Sequence, residues 1–192
     1  MKIGQTIVIK AQKLFYIDDE SYTEEQLLKM NTIKAKKLHL KEMRLSKFPA
    51  WVKKCVVSGT FDCSYNKLTS LEGAPKSVDG DFICSDNQLT TLKGAPKNAG
   101  KDFYCSYNKL TSLEGAPNSV RGGFHCSDNQ LSSLKGAPQS VNGVFSCSDN
   151  QLTSLEGAPK TVGRGFHCSN NKKKFTEAEV KAVTKVKGRI EV

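Results

Sequence analysis

A frame of identical residues returns every 21 positions and leaves this chain little freedom in what it can fold into. Cysteines stand at Cys63, Cys84, Cys105, Cys126, Cys147 and Cys168. A phenylalanine precedes each by two residues, from Phe61 to Phe166, and an asparagine follows each by three, from Asn66 to Asn171. Leu68, Leu71 and Pro75 complete the first unit and return in later copies to Leu152, Leu155 and Pro159. The unit reads F-x-C-x-x-N-x-L-x-x-L-x-G-A-P-x-x-V-x-G-x. A fixed period of this size marks stacked supersecondary units.

The local physics follows from the unit. F-x-C alternates with period two, which predicts a short strand with Phe and Cys on one face. Asn then turns the chain, and L-x-x-L continues the inward side. G-A-P bends it, and Pro forbids a helix there. A turn of 21 residues has no room for a long helix, so its far side is expected to be extended or polyproline-like. One unit holds too few apolar side chains to offset the ordering of its own backbone. Units must therefore stack as a solenoid, with parallel strands about 4.8 Å apart in one continuous sheet.

These residues resemble the leucine-rich repeat proteins, specifically the short bacterial and phage type. There L-x-x-L precedes a small-small-Pro bend and the strand precedes x-x-N-x-L. Phe and Cys stand where Leu and Leu or Val are usual. The resemblance covers residues 61–171 and, in looser form, 38–60, where LHLKEMRLSKFPAWVKKCVVSGTF repeats the pattern with two extra residues. It implies a repeat solenoid with a parallel β-sheet on a concave face and no long convex helices. An N-terminal α/β cap or small module is expected over 1–37 and a C-terminal helical cap over 172–192. The solenoid would occupy 38–171, with a degenerate first turn at 38–60.

The cysteines allow three readings. A metal site is disfavoured, because ligands 21 residues apart on a straight ladder cannot surround an ion. Disulfides fit the rung spacing but not a reducing compartment. The adopted reading is a small buried apolar residue. Cys55 lies in the degenerate turn without an evident role. The asparagines are read as structural. Glu72, Lys93, Glu114, Lys135 and Glu156 alternate in sign, so each neighbour is an opposite charge. Together with a 42-residue super-period, this suggests duplication of a two-unit block.

Charge and the ends bear on partners. The net charge of the 192 residues is +10. Residues 1–60 carry twelve basic and six acidic side chains, residues 61–170 ten of each, and residues 171–192 seven and three. The basic excess thus falls at the two ends, which argues against a nucleic-acid grip along the middle. In the C-terminal segment Thr176 and Glu179 form a capping box for a helix over 177–186. That helix would turn Val180 and Val183 onto the last repeat, with Phe175 beside them. Val186, Ile190 and Val192 would form a closing strand. Near the start Ile7, Val8 and Ile9 suggest a strand, and Thr23 and Gln26 cap a helix over 24–31. No apolar run is long enough to span a bilayer, and the first residues lack a secretory core. A cytoplasmic location is expected.

Function is expected on the outward strand positions. The middle column is Asp62, Ile83, Tyr104, His125, Ser146 and His167. A uniform serine column runs from Ser64 to Ser169. Beside it lie Tyr65, Asp86, Tyr107, Asp128, Asp149 and Asn170. The first and third columns vary while the scaffold does not, which is where a binding surface can be written. Tyr65, Tyr104 and Tyr107 are the natural anchors. His125 and His167 lack the pocket and orienting acid that serine–histidine chemistry needs, so no enzyme activity, cofactor or metal is expected. The expected function is a non-catalytic, monomeric scaffold that binds another protein. The resemblance implies a bacterial or phage setting, for example a phage-encoded inhibitor of a host defence protein. The ubiquitin-ligase activity of related secreted effectors is not carried over. The alternatives are a nucleic-acid-associated accessory protein using the basic ends, or a phage structural or assembly component.

Overall fold

The computed structural model describes residues 14–18 and 20–192. The strand expected at Ile7–Ile9 lies outside them. Strands β1 (Leu14–Ile17) and β2 (Glu20–Thr23) form an antiparallel hairpin, followed by α1 (Glu24–Lys29), β3 (Ile33–Ala35) and β4 (Leu38–His39). A 3-10 turn at Val52–Lys54 leads into β5 (Cys55–Val57) and β6 (Phe61–Asp62). Two-residue strands then mark the turns: β7 (Phe82–Ile83), β8 (Asn98–Ala99), β9 (Phe103–Tyr104), β10 (Ser119–Val120) and β11 (Phe124–His125). The series continues with β12 (Ser140–Val141), β13 (Phe145–Ser146), β14 (Thr161–Val162) and β15 (Phe166–His167). The chain closes with α2 (Glu177–Val183), β16 (Lys185–Val186) and β17 (Ile190–Glu191).

The result is a repeat solenoid of parallel strands. A ten-stranded sheet runs β17-β15-β13-β11-β9-β7-β6-β4-β1-β2. It is parallel from β4 to β17, with Phe61, Phe82, Phe103, Phe124, Phe145 and Phe166 in register. Here the structure adds to the sequence reading. The far side of each turn is extended, and it pairs into a second parallel sheet, β16-β14-β12-β10-β8. Isolated bridges at Val78 carry this sheet on to β5, which pairs with β3.

The frame residues fill the space between the sheets. All six phenylalanines are fully buried, and those from Phe82 to Phe166 stack ring on ring with centroids 5.1–5.8 Å apart. Leu68, Leu71 and their copies, with Val78, Val120, Val141 and Val162, close the core from the other sides. Each repeat asparagine works across two turns. The Asn108 amide donates to the Cys105, Ser106 and Cys84 carbonyls at 3.1 Å, and its Oδ1 accepts from Leu89 N–H at 2.9 Å. The bend needs its glycine: at Gly94 φ is +94°, and an added Cβ would lie 2.4 Å from the Leu71 carbonyl carbon.

The seven cysteines are free and buried. The thiols of Cys63, Cys84, Cys126 and Cys147 donate to strand carbonyls of the next turn at 3.2–3.4 Å. Burial pushes every thiol up, Cys168 to about 11 and Cys55 to about 12. Thiolate attack is therefore suppressed. In the native protein a bulky thiol reagent at neutral pH is expected to label none of the cysteines rapidly, and all seven after denaturation. A cysteine of the ladder that labels fast before unfolding would contradict this packing.

The ends differ from expectation in detail. Both capping boxes form, at Thr23/Gln26 and Thr176/Glu179, but the helices are shorter than expected, Glu24–Lys29 and Glu177–Val183. Val180 and Phe175 are buried, whereas Val183, the last helical residue, is exposed. Val186 and Ile190 do not share one strand. They sit in β16 and β17, which extend the second and first sheets respectively. The final residues are thus a shortened copy of a turn, Val186 pairing as Val162 does and Ile190 as Phe166 does. Of the alternating charge ladder, Glu72 and Lys93 approach within 3.3 Å, both strongly exposed. Such a pair contributes little, roughly 0.2–1 kcal/mol.

Candidate interaction face

Strand alternation turns the middle column outward on the long sheet. Asp62, Ile83, Tyr104, His125, Ser146 and His167 occupy successive rungs, all half-buried. His39 and Glu191 extend the column at the two ends, beside Asp62 and His167. The register that aligns L-H-L at 38–40 and I-E-V at 190–192 with F-x-C is the signal that finds them. His125 and His167 are not brought together, because the Ser146 rung lies between them.

The column does form one cluster. The rings of Tyr104 and His125 stack at 4.6 Å, nearly parallel. The Tyr104 hydroxyl donates to Asp102 Oδ2 at 2.9 Å, and Gly123 N–H donates to Oδ1 of the same carboxylate at 2.5 Å. The imidazole of His125 lies over Gly123, where a Cβ would come within 2.6 Å of Nε2. Burial holds His125 below its ordinary pKa, against the pull of Asp102. Burial, with the Asp102 hydrogen bond, pushes Tyr104 up to about 12. At neutral pH this is a neutral aromatic pair fixed by a carboxylate. An open recess of about 500 Å³ adjoins it, with Arg121 and Arg164 among its lining residues. The sequence reading missed Asp102 and Gly123, which lie outside its outward columns.

The serine column is less available than expected. Ser64 is buried, and its hydroxyl donates to Asp62 at 2.6 Å. Ser127 bonds Ser146, and Ser148 bonds Ser169.

The third column has a backbone property invisible in composition. Tyr65, Asp86, Tyr107, Asp128, Asp149 and Asn170 all have φ of 54–56°. Asp and Asn tolerate this left-handed region, whereas bulky residues enter it at a cost. Tyr65 and Tyr107 are nevertheless there, 54% and 59% exposed. Lys41 sits 4.9 Å over the Tyr65 ring. Burial raises Asp86 and Asp128, and the charge of Asp149 raises Asp128 further. The Asp128 charge in turn raises Tyr107.

Charge separates by face. Across the outward columns of the long sheet stand Glu42, Asp62, Asp86, Asp128, Asp149 and Glu191, with Lys41 the one lysine or arginine among the described residues. The ten basic side chains of residues 61–170 therefore lie elsewhere on the turns. The neutral sum of this stretch hides an acidic surface. Among the described residues, no group of three His, Cys, Asp or Glu side chains is placed to hold a metal ion, and no helix is long and apolar enough to cross a membrane.

No family model matches the chain, and neither a curated protein nor a solved structure matches it. What its own geometry establishes is a repeat solenoid with turns of about 21 residues and parallel strands.

Proposed function

We propose that this chain is a solenoid of the leucine-rich-repeat kind whose outward long-sheet face binds another protein. The partner carries a complementary basic surface, and binding acts by occlusion rather than catalysis. The observation that carries this reading is the pair Tyr65 and Tyr107. Two large aromatic rings stand exposed at positive φ, at a column position where four other turns place Asp or Asn. They do nothing for the core and cost backbone strain, which is the pattern of residues kept for contact. The setting implied by the resemblance, a phage or bacterial binder of a host protein in the cytosol, fits this mechanism. The protein acts as a monomer in this proposal, and a stable dimer in light scattering would overturn that part.

The test begins with capture from nuclease-treated bacterial lysate at low and high salt. The native chain is compared with a Tyr104→Ala, Tyr107→Ala, His125→Ala variant. One protein, held by the native chain after nuclease treatment and lost from the variant, supports the reading, and weaker capture at high salt is expected of its charge complementarity. Equal capture by the variant refutes it. Tyr107→Asn sharpens the test. It is expected to stabilise the fold by about 0.5–1 kcal/mol, since Asn accepts the left-handed region. It should also weaken partner binding at least roughly tenfold. Stability and affinity moving in the same direction would show that Tyr107 serves the fold instead.

A further inference from the structure

We propose that the second sheet carries a separate site, a basic strip that binds the phosphate backbone of duplex DNA without reading its sequence. The site lies on the second sheet; of its basic residues, Arg121 also borders the recess beside Tyr104 and His125.

The strip follows from the register. Its central outward column is Ser77, Asn98, Ser119, Ser140 and Thr161, small side chains with hydrogen-bonding groups. On one side run Lys76, Lys97 and Lys160. Backbone bonds from Asn118 to Lys97, Gln139 to Asn118 and Lys160 to Gln139 put Lys97 and Lys160 three rungs apart, with Asn118 and Gln139 on the rungs between them. On the other side Arg121 stands level with Gly100 and Asn142. Lys34 and Lys185 end the central column, with Lys187 beside the latter. All these basic side chains are exposed. None is in a salt bridge among the described residues. Asp79 is the one acid of the three columns among the described residues.

Seven basic side chains against one carboxylate in these columns favour a polyanion. Phosphate contacts come from Lys and Arg together with Ser, Thr and Asn, which is the composition of this strip. A shallow depression of about 380 Å³ lies at its centre, lined by Ser77, Asn98, Ser119 and Arg121 together with the Asp79 carboxylate. A second, of about 500 Å³, lies towards the N-terminal end beside Lys53, Lys54 and Lys76.

Three features choose the duplex. The columns hold no aromatic side chain on which unpaired bases would stack. Val56 is the one exposed large apolar residue in the central column, too little to anchor a membrane surface or form a protein hot spot. From Lys34 to Lys185 the strip spans about 34 Å at the usual strand spacing, close to one turn of B-form DNA.

Fluorescence anisotropy with a labelled 24-base-pair DNA duplex of arbitrary sequence tests the proposal. Binding is expected in the micromolar range at about 50 mM salt, falling steeply as salt rises. The variant Lys76→Gln, Lys97→Gln, Lys160→Gln, Lys185→Gln should bind at least about tenfold more weakly, with a log–log salt slope shallower by roughly 3–4. A charge-matched control, Lys47→Gln, Lys67→Gln, Lys109→Gln, Lys135→Gln, should stay within about threefold of the native chain. Equal losses in the two variants would reduce the effect to net charge and overturn the site. So would tighter binding to a single strand of the same length, tighter binding to an RNA duplex, or binding to phosphatidylserine vesicles without DNA binding. Loss of DNA binding with unchanged protein capture would confirm that the two faces act separately.

Discussion

Asn108→Ala is expected to destabilise the protein by roughly 3–5 kcal/mol, lowering the melting temperature by roughly 6–20 °C. The side chain is buried and holds four hydrogen bonds, three donated and one accepted. Alanine would leave Leu89 N–H without its partner, and would remove one donor each from the Cys84, Cys105 and Ser106 carbonyls, which keep the Asn87 amide, the Asn129 amide and Asp86 N–H respectively. Unpaired buried groups cost more than a hydrogen bond contributes. Asn108→Asp separates shape from chemistry. It keeps the volume and the acceptor but aims a carboxylate at three carbonyl oxygens, so it should destabilise at least as much at neutral pH. Asn171, part-buried at the last turn, has less to lose, and its alanine variant should fall by about half as much. Calorimetry checks all three. A loss below about 1 kcal/mol for Asn108→Ala would mean that water replaces the amide, and the ladder would not be what couples the turns.

The second large effect is expected from Phe124→Ala, at about 3–5 kcal/mol. Phe124 is fully buried between Phe103 and Phe145, at centroid distances of 5.3 and 5.8 Å. Removing the ring opens a cavity that the two adjoining rings cannot close, because strand pairing fixes their spacing. Phe124→Leu should cost about half as much, since it fills most of the volume and loses the stacked geometry. In a linear array each turn is held mainly by its neighbours. The alanine variant should therefore broaden the denaturant transition as well as shift it. A sharp, unshifted transition would show that the phenylalanine column contributes less than its burial indicates.

The buried frame was legible in the sequence because it is chemical. Phe, Cys, Leu, Asn and Pro at fixed intervals have one shared explanation, and the structure buries the Phe, Cys and Leu positions and the asparagines from Asn66 to Asn150. What escaped was set by position rather than by residue type. The second sheet consists of two-residue strands with one inward residue each, such as Val120 or Val141, and two residues display no period. The left-handed column had a signal in Asp86, Asp128, Asp149 and Asn170, which Tyr65 and Tyr107 obscured. The distribution of charge failed for a different reason. Summing along the chain mixes residues that a turn sends to different faces, so Asp128 and Lys97 cancelled on paper while flanking strands of different sheets. Val183 was placed inward by helical spacing, but α2 ends at that residue and the chain leaves for β16.

The in-register repetition also makes the molecule a ruler. Inserting or deleting one unit between Phe61 and Phe166 would change the length of both faces by about one strand spacing, near 4.8 Å, and leave both termini untouched. The alternation of Glu72, Lys93, Glu114, Lys135 and Glu156 selects the natural increment. A single added unit would set like charges side by side, whereas a pair preserves the order and extends the reach by about 10 Å. Length, and with it the size of surface presented, can then change by duplication alone, without any new solution to folding.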